Sequence, residues 1–450
     1  MTRSFIFRGL TLGVFAVAAS ACATTPRGHG AVLHQPSPDT YRLPKKVVGG
    51  RSGTVALLQN EIVDTHTGRR LSREALGELL RRDDVIFVGE NHASRAHQAW
   101  QATIISILAH DARPLAVGLE MLPRSVQPIL DARSESTSER DFIRRIHWYE
   151  HWGHGYRTYR PIFRVTGAHH VPLVALNAPD ALPRAIARHG LKGLSKKLRA
   201  LVPRMDLTSS AHREVFRALL GREHRVSKAG AKARAKASSH PASHPASHPA
   251  SRPASRPSGH PRGHHGLQGG RLERYYTAQV LWDATMADAV LRWRQGAPKT
   301  RVVVLAGAGH VMYDLGISRQ LRQRAPELRQ IIVLPVRVLP GKSRRVSRQV
   351  ADVLIGIAPP KAADRPPKLG VELQEAKAPK GAVIIKALSS GETPARRAGL
   401  RPGDRLCSIG GQKVTTIFDV RWALLEARRG QGLQVGILRG ARSFNVVVHL

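Results

Sequence analysis

The chain has 450 residues, 42% hydrophobic and only 5% aromatic, with 71 Lys and Arg against 32 Asp and Glu and a formal net charge of +39. That length builds a core without disulfide staples, and its 2 cysteines supply no disulfide framework. The excess charge favours anionic surfaces in general, but the basic residues are spread along the chain and not gathered on one arm with interleaved aromatics, which excludes a specific nucleic-acid partner.

At the start, "MTRSFIFRGLTLGVFAVAASAC" sets Arg3 and Arg8 before an apolar stretch and small residues. Residues 1–22 therefore read as a secretory signal, too short to span a membrane as a mature helix. "AASAC" resembles a bacterial lipobox, which makes Cys22 the lipidated first residue of the mature chain. Ala19 stands where that pattern prefers Leu, so ordinary cleavage without a lipid is the alternative. Residues 23–51 read as a tether. The other cysteine, Cys407, reads as a small core residue.

Five short apolar runs follow, separated by helical patterns: "VIFVG" (85–89), "LAVGLE" (115–120), "VPLVAL" (171–176), "VVVLAG" (302–307) and "IIVLPV" (331–336). Continuous apolar strands alternating with helices predict an α/β fold, a mostly parallel sheet flanked by helices. Polar residues fall at the strand ends: Glu90 and His92 after the first run, Glu120 ending the second, Asn177 after the third, His310 after the fourth. Open α/β sheets bind ligands outside the carboxyl ends of their strands, so these residues mark a candidate site. "GENH" and "GAGH" are two Gly-x-x-His turns, in which glycine permits close backbone approach and the imidazole binds a metal, moves a proton or stacks on a flat ligand.

The segment "HWYEHWGHGYRTYRPIF" (147–163) concentrates Trp148, Trp152, Tyr156, Arg157, Tyr159 and Arg160. Aromatics and cations this close together line an apolar cleft that takes a flat ligand. The competing reading is an amphipathic helix with its aromatics in the core. In "RLERYYTAQVLWDATMADAVLRW" (271–293), Gln279, Asp283 and Met286 share a helix face, either lining a pocket or solvated at its edge, and Asp288 with Arg292 forms a surface pair. The His/Pro-rich stretch of about residues 227–270 cannot bury enough apolar surface to order itself and reads as a disordered insertion.

"VIFVGENHASRAHQAWQATIISIL", "VGLEMLPRSVQPILD", "YRTYRPIF", "VPLVALNAP", "AQVLWDATMADAV" and "VVVLAGAGHVMYDLGI" occur in the order found in the ChaN-like haem-binding uptake proteins of the Tiki superfamily. The chain resembles that family over residues 52–338. The resemblance implies haem binding linked to iron uptake at the cell envelope of a Gram-negative bacterium, as a lipid-anchored outer-membrane or periplasmic protein. Candidate haem or ligand contacts are His92, Glu120, Tyr156, Tyr159, Arg160, Asn177 and His310. Other members of the superfamily resemble metal-dependent hydrolases, which makes a divalent metal such as zinc on His92, Glu120 and His310, with Glu90 or Glu120 catalytic, the alternative. A third possibility is that these residues bond to one another and order the loops.

Residues 339–367, with "PGKSRRVSRQ" and "PPKAADRPP", read as a linker. The remainder, 368–450, resembles a small β-rich PDZ domain of the bacterial, protease-associated type through "LGV" (369–371), "AGLRPGD" and the helix "FDVRWALLEA". The resemblance implies capture of a peptide or protein C-terminus by β-augmentation, with Leu369, Gly370 and Val371 supplying turn and edge and Trp422 and Leu425 closing the groove.

Overall fold

The computed structural model describes residues 52–219, 270–361, 364, 366–376 and 381–450. The expectations for the signal, Cys22, the tether and nearly all of the Pro-rich insertion lie outside the described residues. Among the described residues ten strands build the first domain: β1 (Thr54–Leu57), β2 (Ile62–Asp64), β3 (Arg70–Leu71), β4 (Val85–Glu90), β5 (Leu115–Pro123), β6 (Leu173–Asn177), β7 (Arg301–Gly307), β8 (Gln330–Arg337), β9 (Arg344–Ser347) and β10 (Val353–Ile357). Eight of them form one sheet in the order β3-β2-β10-β8-β4-β7-β5-β6. The five strands expected from the sequence are all present, parallel and adjacent, and every residue of β4, β5 and β7 is buried, as a sheet covered on both faces demands.

Chain order and spatial order differ at the centre. From β4 the chain passes through helix α1 (Arg95–Ala109) to β5, skipping the position between them that β7 later fills. From β7 it then returns to β8, on the other side of β4. The carboxyl ends of β4, β7 and β5 therefore lie side by side, with Glu90 in register with Gly307. Two further helices flank this end: α2 (Tyr156–Ala168) and the long α3 (Gly270–Gly296).

The linker expected over 339–367 starts too early. β9 pairs with β1, and β10 inserts between β8 and β2, so the first domain runs on to Ile357. The basic composition of 340–349 misleads because β9 is a short strand with only Val346 buried.

The second domain is an antiparallel sheet of β11 (Val371–Glu375), β12 (Val383–Leu388), β13 (Arg405–Ile409), β14 (Gln412–Lys413), β15 (Gly432–Arg439) and β16 (Arg442–His449), with helix α4 (Ile417–Ala423) beside it. β11 lies at the end of the sheet order. Cys407 is exposed, not in the core: β13 breaks register between Leu406 and Ser408, so Leu406 and Ile409 both turn inward and Cys407 turns out.

The two domains touch through α4. Its Val420 packs in the second core, while Phe418, Trp422 and the following Leu425 pack against the core of the first domain. Trp422 stacks on Tyr156 with ring centroids 6.3 Å apart, Arg421 lies over the Tyr149 ring, and Arg140 pairs with Asp419 at 2.7 Å. Asp419 also closes the capping box of α4 with Thr416, so one carboxylate both starts the helix and ties it to its neighbour.

Candidate functional site

Two buried polar groups meet at the carboxyl ends of β4, β5 and β7. In the first, the Glu90 carboxylate, with no solvent exposure, receives Nδ1 of His92 at 2.7 Å and the Tyr159 hydroxyl at 2.9 Å on one oxygen, and the Gln98 amide on the other. The turn that carries His92 passes through Ala93 in the left-handed region (φ 55°), and the Ala93 N–H donates to the same Tyr159 hydroxyl at 3.1 Å. Tyr159 thus bridges strand end and turn. A buried carboxylate is tolerable only when donors surround it, and here α1 and α2 each send one.

In the second group, Glu120 on β5 accepts the Gly307 N–H at 2.5 Å and lies 3.5 Å from Nε2 of His310. The other ring nitrogen of His310 meets Asp283 of α3 at 2.6 Å and the Gln279 amide at 3.0 Å. The free side of Asp283 faces Nε2 of His212 at 3.6 Å. Burial penalises a charged His310, but the carboxylates of Glu120 and Asp283 on either side outweigh it and raise its pKa. Gln279 and Asp283 are therefore part of the site and not a solvated edge, whereas Asp288 and Arg292 form the expected pair at 2.8 Å.

Gly307 joins the two groups. A β-carbon there would stand 2.9 Å from Cε1 of His92 and 3.6 Å from the Glu120 carboxylate, and one at Gly89 would stand 2.6 Å from Leu334. Both glycines of the Gly-x-x-His turns serve close approach, and neither has a positive φ. His92, Glu120 and His310 do converge, but each is tied to a neighbour; among the described residues no group of three or more His, Cys, Asp or Glu is placed to hold a metal ion. Asn177 stands aside: its amide donates to the Glu120 backbone carbonyl at 2.9 Å and its oxygen accepts the Ala178 N–H, which orders the loop.

Beside the first group stands His154. Its ring lies 5.3 Å from those of both His92 and Trp152, and the residue is half-buried in the loop before α2. Burial, then the neighbouring His92, push its pKa down to about 4, so it is a neutral imidazole at neutral pH. His154 lies inside the aromatic-rich segment 147–163, but its sequence context does not set it apart from the neighbouring His147 and His151.

The other residues expected to contact a ligand are committed elsewhere. Tyr156 is buried and donates to Glu139 at 2.7 Å; burial and that carboxylate push its pKa well up, and burial with the Glu90 charge does the same to Tyr159. Both are protonated phenols at neutral pH. Arg160 is held by Glu139 and Glu426. His154 presents a neutral, half-buried imidazole packed beside the buried Trp152.

The profile of the family described as haem-binding uptake, Tiki superfamily, ChaN matches residues 76–321, more than half of the chain. The chain belongs to that family. A PDZ domain profile matches residues 367–450, so a ChaN-type domain is followed by a PDZ domain. Among solved structures, one described as cofacial haem binding to ChaN of Campylobacter jejuni is 17% identical with a TM-score of 0.47, covering 66% of this chain and 98% of that one. The C-terminal part is similar to a serine endoprotease from Yersinia pestis (22% identity, TM-score 0.16, 18% of this chain) and spans only 27% of that protein. It is also similar to the HtrA3 PDZ domain bound to a phage-derived ligand (13% identity, TM-score 0.17, 18% of this chain and 82% of that one). No curated protein matches the chain.

In the PDZ domain, Gly370 turns at φ 83°, and a β-carbon there would stand 2.5 Å from Thr393, so the turn before β11 requires glycine. Leu369 is anchored in the second core, its carbonyl accepting the Ala395 N–H at 2.8 Å, and Val371 opens β11. Trp422 and Leu425, expected to close the groove, pack on the first domain instead.

Proposed function

We propose that this is an envelope-associated haem-binding protein serving haem or iron uptake, held to the membrane through a lipid on Cys22, with a PDZ domain that takes up an extended peptide or a protein C-terminus. The observation that carries the haem reading is the neutral, half-buried His154 ring packed against both Trp152 and His92 beside the strand-end group of a ChaN-type domain. His154 supplies an axial nitrogen, the buried Trp152 backs its ring, and the buried Glu90–His92–Tyr159 group holds His92 in place beside it. The PDZ reading rests on the position of β11 at the end of its sheet, next to the Leu369–Gly370–Val371 turn. Envelope location and lipidation rest on the first 22 residues of the sequence. Titration of the chain lacking residues 1–22 with haemin, comparing it with His154→Ala, tests the haem reading.

A further inference from the structure

Helix α2 carries Arg157, Arg160 and Arg164 along one side, and Arg95 faces them from the first turn of α1. With Glu426, just beyond α4 of the PDZ domain, they line an open cleft of about 260 Å³ at the junction of the two domains. Its charges do not cancel. Glu139 takes two nitrogens of Arg160 at 2.7 Å each, and the third goes to Glu426. Arg157 spends one nitrogen on the Ala427 carbonyl at 2.7 Å, and Arg95 is 3.7 Å from Asp364. Among the described residues neither Arg157 nor Arg164 pairs with a carboxylate.

Guanidiniums gathered this closely repel one another, and the arrangement is relieved when an anion enters. Burial and the neighbouring Arg95, Arg428 and Arg160 all act to lower the pKa of Arg157. The donors come from two helices and point into one space. A planar carboxylate is served by one fork, whereas a tetrahedral phosphate accepts from several directions. The side chain of Glu426 is 73% exposed, yet it reaches back to Arg160 and occupies a guanidinium that would otherwise face the cleft.

We propose that this junctional cleft binds a phosphate group, free or carried on a lipid headgroup, and that Glu426 is its internal competitor. Entry of the phosphate displaces Glu426 and so loosens one of the ties between the PDZ domain and α2. None of the lining residues belongs to the His92–His154 group, so the inference does not depend on haem.

Calorimetric titration of the full chain with inorganic phosphate, and flotation with phosphatidylcholine vesicles with and without phosphatidylglycerol, test it. Arg157→Ala with Arg164→Ala weakens binding by about tenfold or more, the scale of lost charge-assisted bonds. Glu426→Gln tightens binding, a gain that a misfolded variant cannot give. Arg345→Ala with Arg442→Ala removes the same charge from two exposed positions elsewhere and leaves binding nearly unchanged. Saturable binding of inorganic phosphate identifies the free ion as the source; binding only to phosphatidylglycerol vesicles identifies the headgroup. No binding of either, equal losses in the two double variants, or an unchanged affinity in Glu426→Gln overturns the proposal.

Discussion

Tyr159 donates its hydroxyl to the same Glu90 oxygen that receives Nδ1 of His92, at 2.9 and 2.7 Å. The tyrosine therefore acts on the site through the carboxylate. Tyr159→Phe leaves a buried carboxylate short of one donor and the Ala93 N–H short of its acceptor, at a cost of about 1–3 kcal/mol in urea unfolding. Bound haem keeps its absorption maximum in this variant while its affinity falls. A shifted maximum contradicts the assignment.

Gly307→Ala forces a methyl group to within 2.9 Å of the His92 ring. Overpacking of this kind costs about 1–3 kcal/mol, and the displaced ring carries His154 with it. The variant loses stability and haem affinity together. Gly296→Ala, at a position with open space around the added carbon, serves as the control in both assays.

Stability falls on the acid side. His154, depressed to about 4 by burial and then by His92, and His97, depressed to about 3 by burial and then by Arg337, stay neutral in the fold. An unfolded histidine takes up a proton near pH 6.5, so from about 6.5 downward the unfolded state binds protons that the native state refuses. His310 has the opposite sign. Its raised pKa gives a contribution that is complete below about 6.5 and disappears as pH rises through the folded value. Urea unfolding across this range shows the acid loss, and His154→Gln reduces it.

Trp422 stacks on Tyr156 and, at 5.9 Å, on Phe418, so the PDZ helix is fastened to the helix that carries Tyr159. Trp422→Ala removes aromatic contact worth about 0.5–1.5 kcal/mol beyond its buried area. The expected outcome is faster proteolysis between the domains, read from cleavage between Ile357 and Val371, with both cores still folded. An unchanged cleavage rate contradicts the fastening role.

The central strands were legible because each is a continuous apolar run buried on both faces, β-branched in β4 and β7, a pattern that local sequence carries in full. β10 was not, since its place between β2 and β8 is a pairing over a long stretch of chain and its flanks are basic or Pro-rich. The strand-end residues Glu90, His92, Glu120 and His310 were legible from the turns they follow. Their partners were harder to read. The spacing of Gln279 and Asp283 put them on one face of α3, but α3 buries residues on nearly every side, so periodicity gave no sign of what that face meets. Tyr156 and Tyr159 looked like ligands because of their chemistry; their carboxylate partners, the half-buried Glu139 and the buried Glu90, lie 17 and 69 residues away in the chain. Trp422 and Leu425 sit on the helix expected to close the PDZ groove, and only the adjoining domain turns them outward from it.

Haemin titration of the chain lacking residues 1–22, followed by absorbance in parallel with His154→Ala, is the most direct test of haem binding at His154. The expected result is a saturable shift of the haem absorption band that His154→Ala weakens and moves in wavelength. An absent or non-saturable shift, or one that His154→Ala leaves as it was, contradicts it.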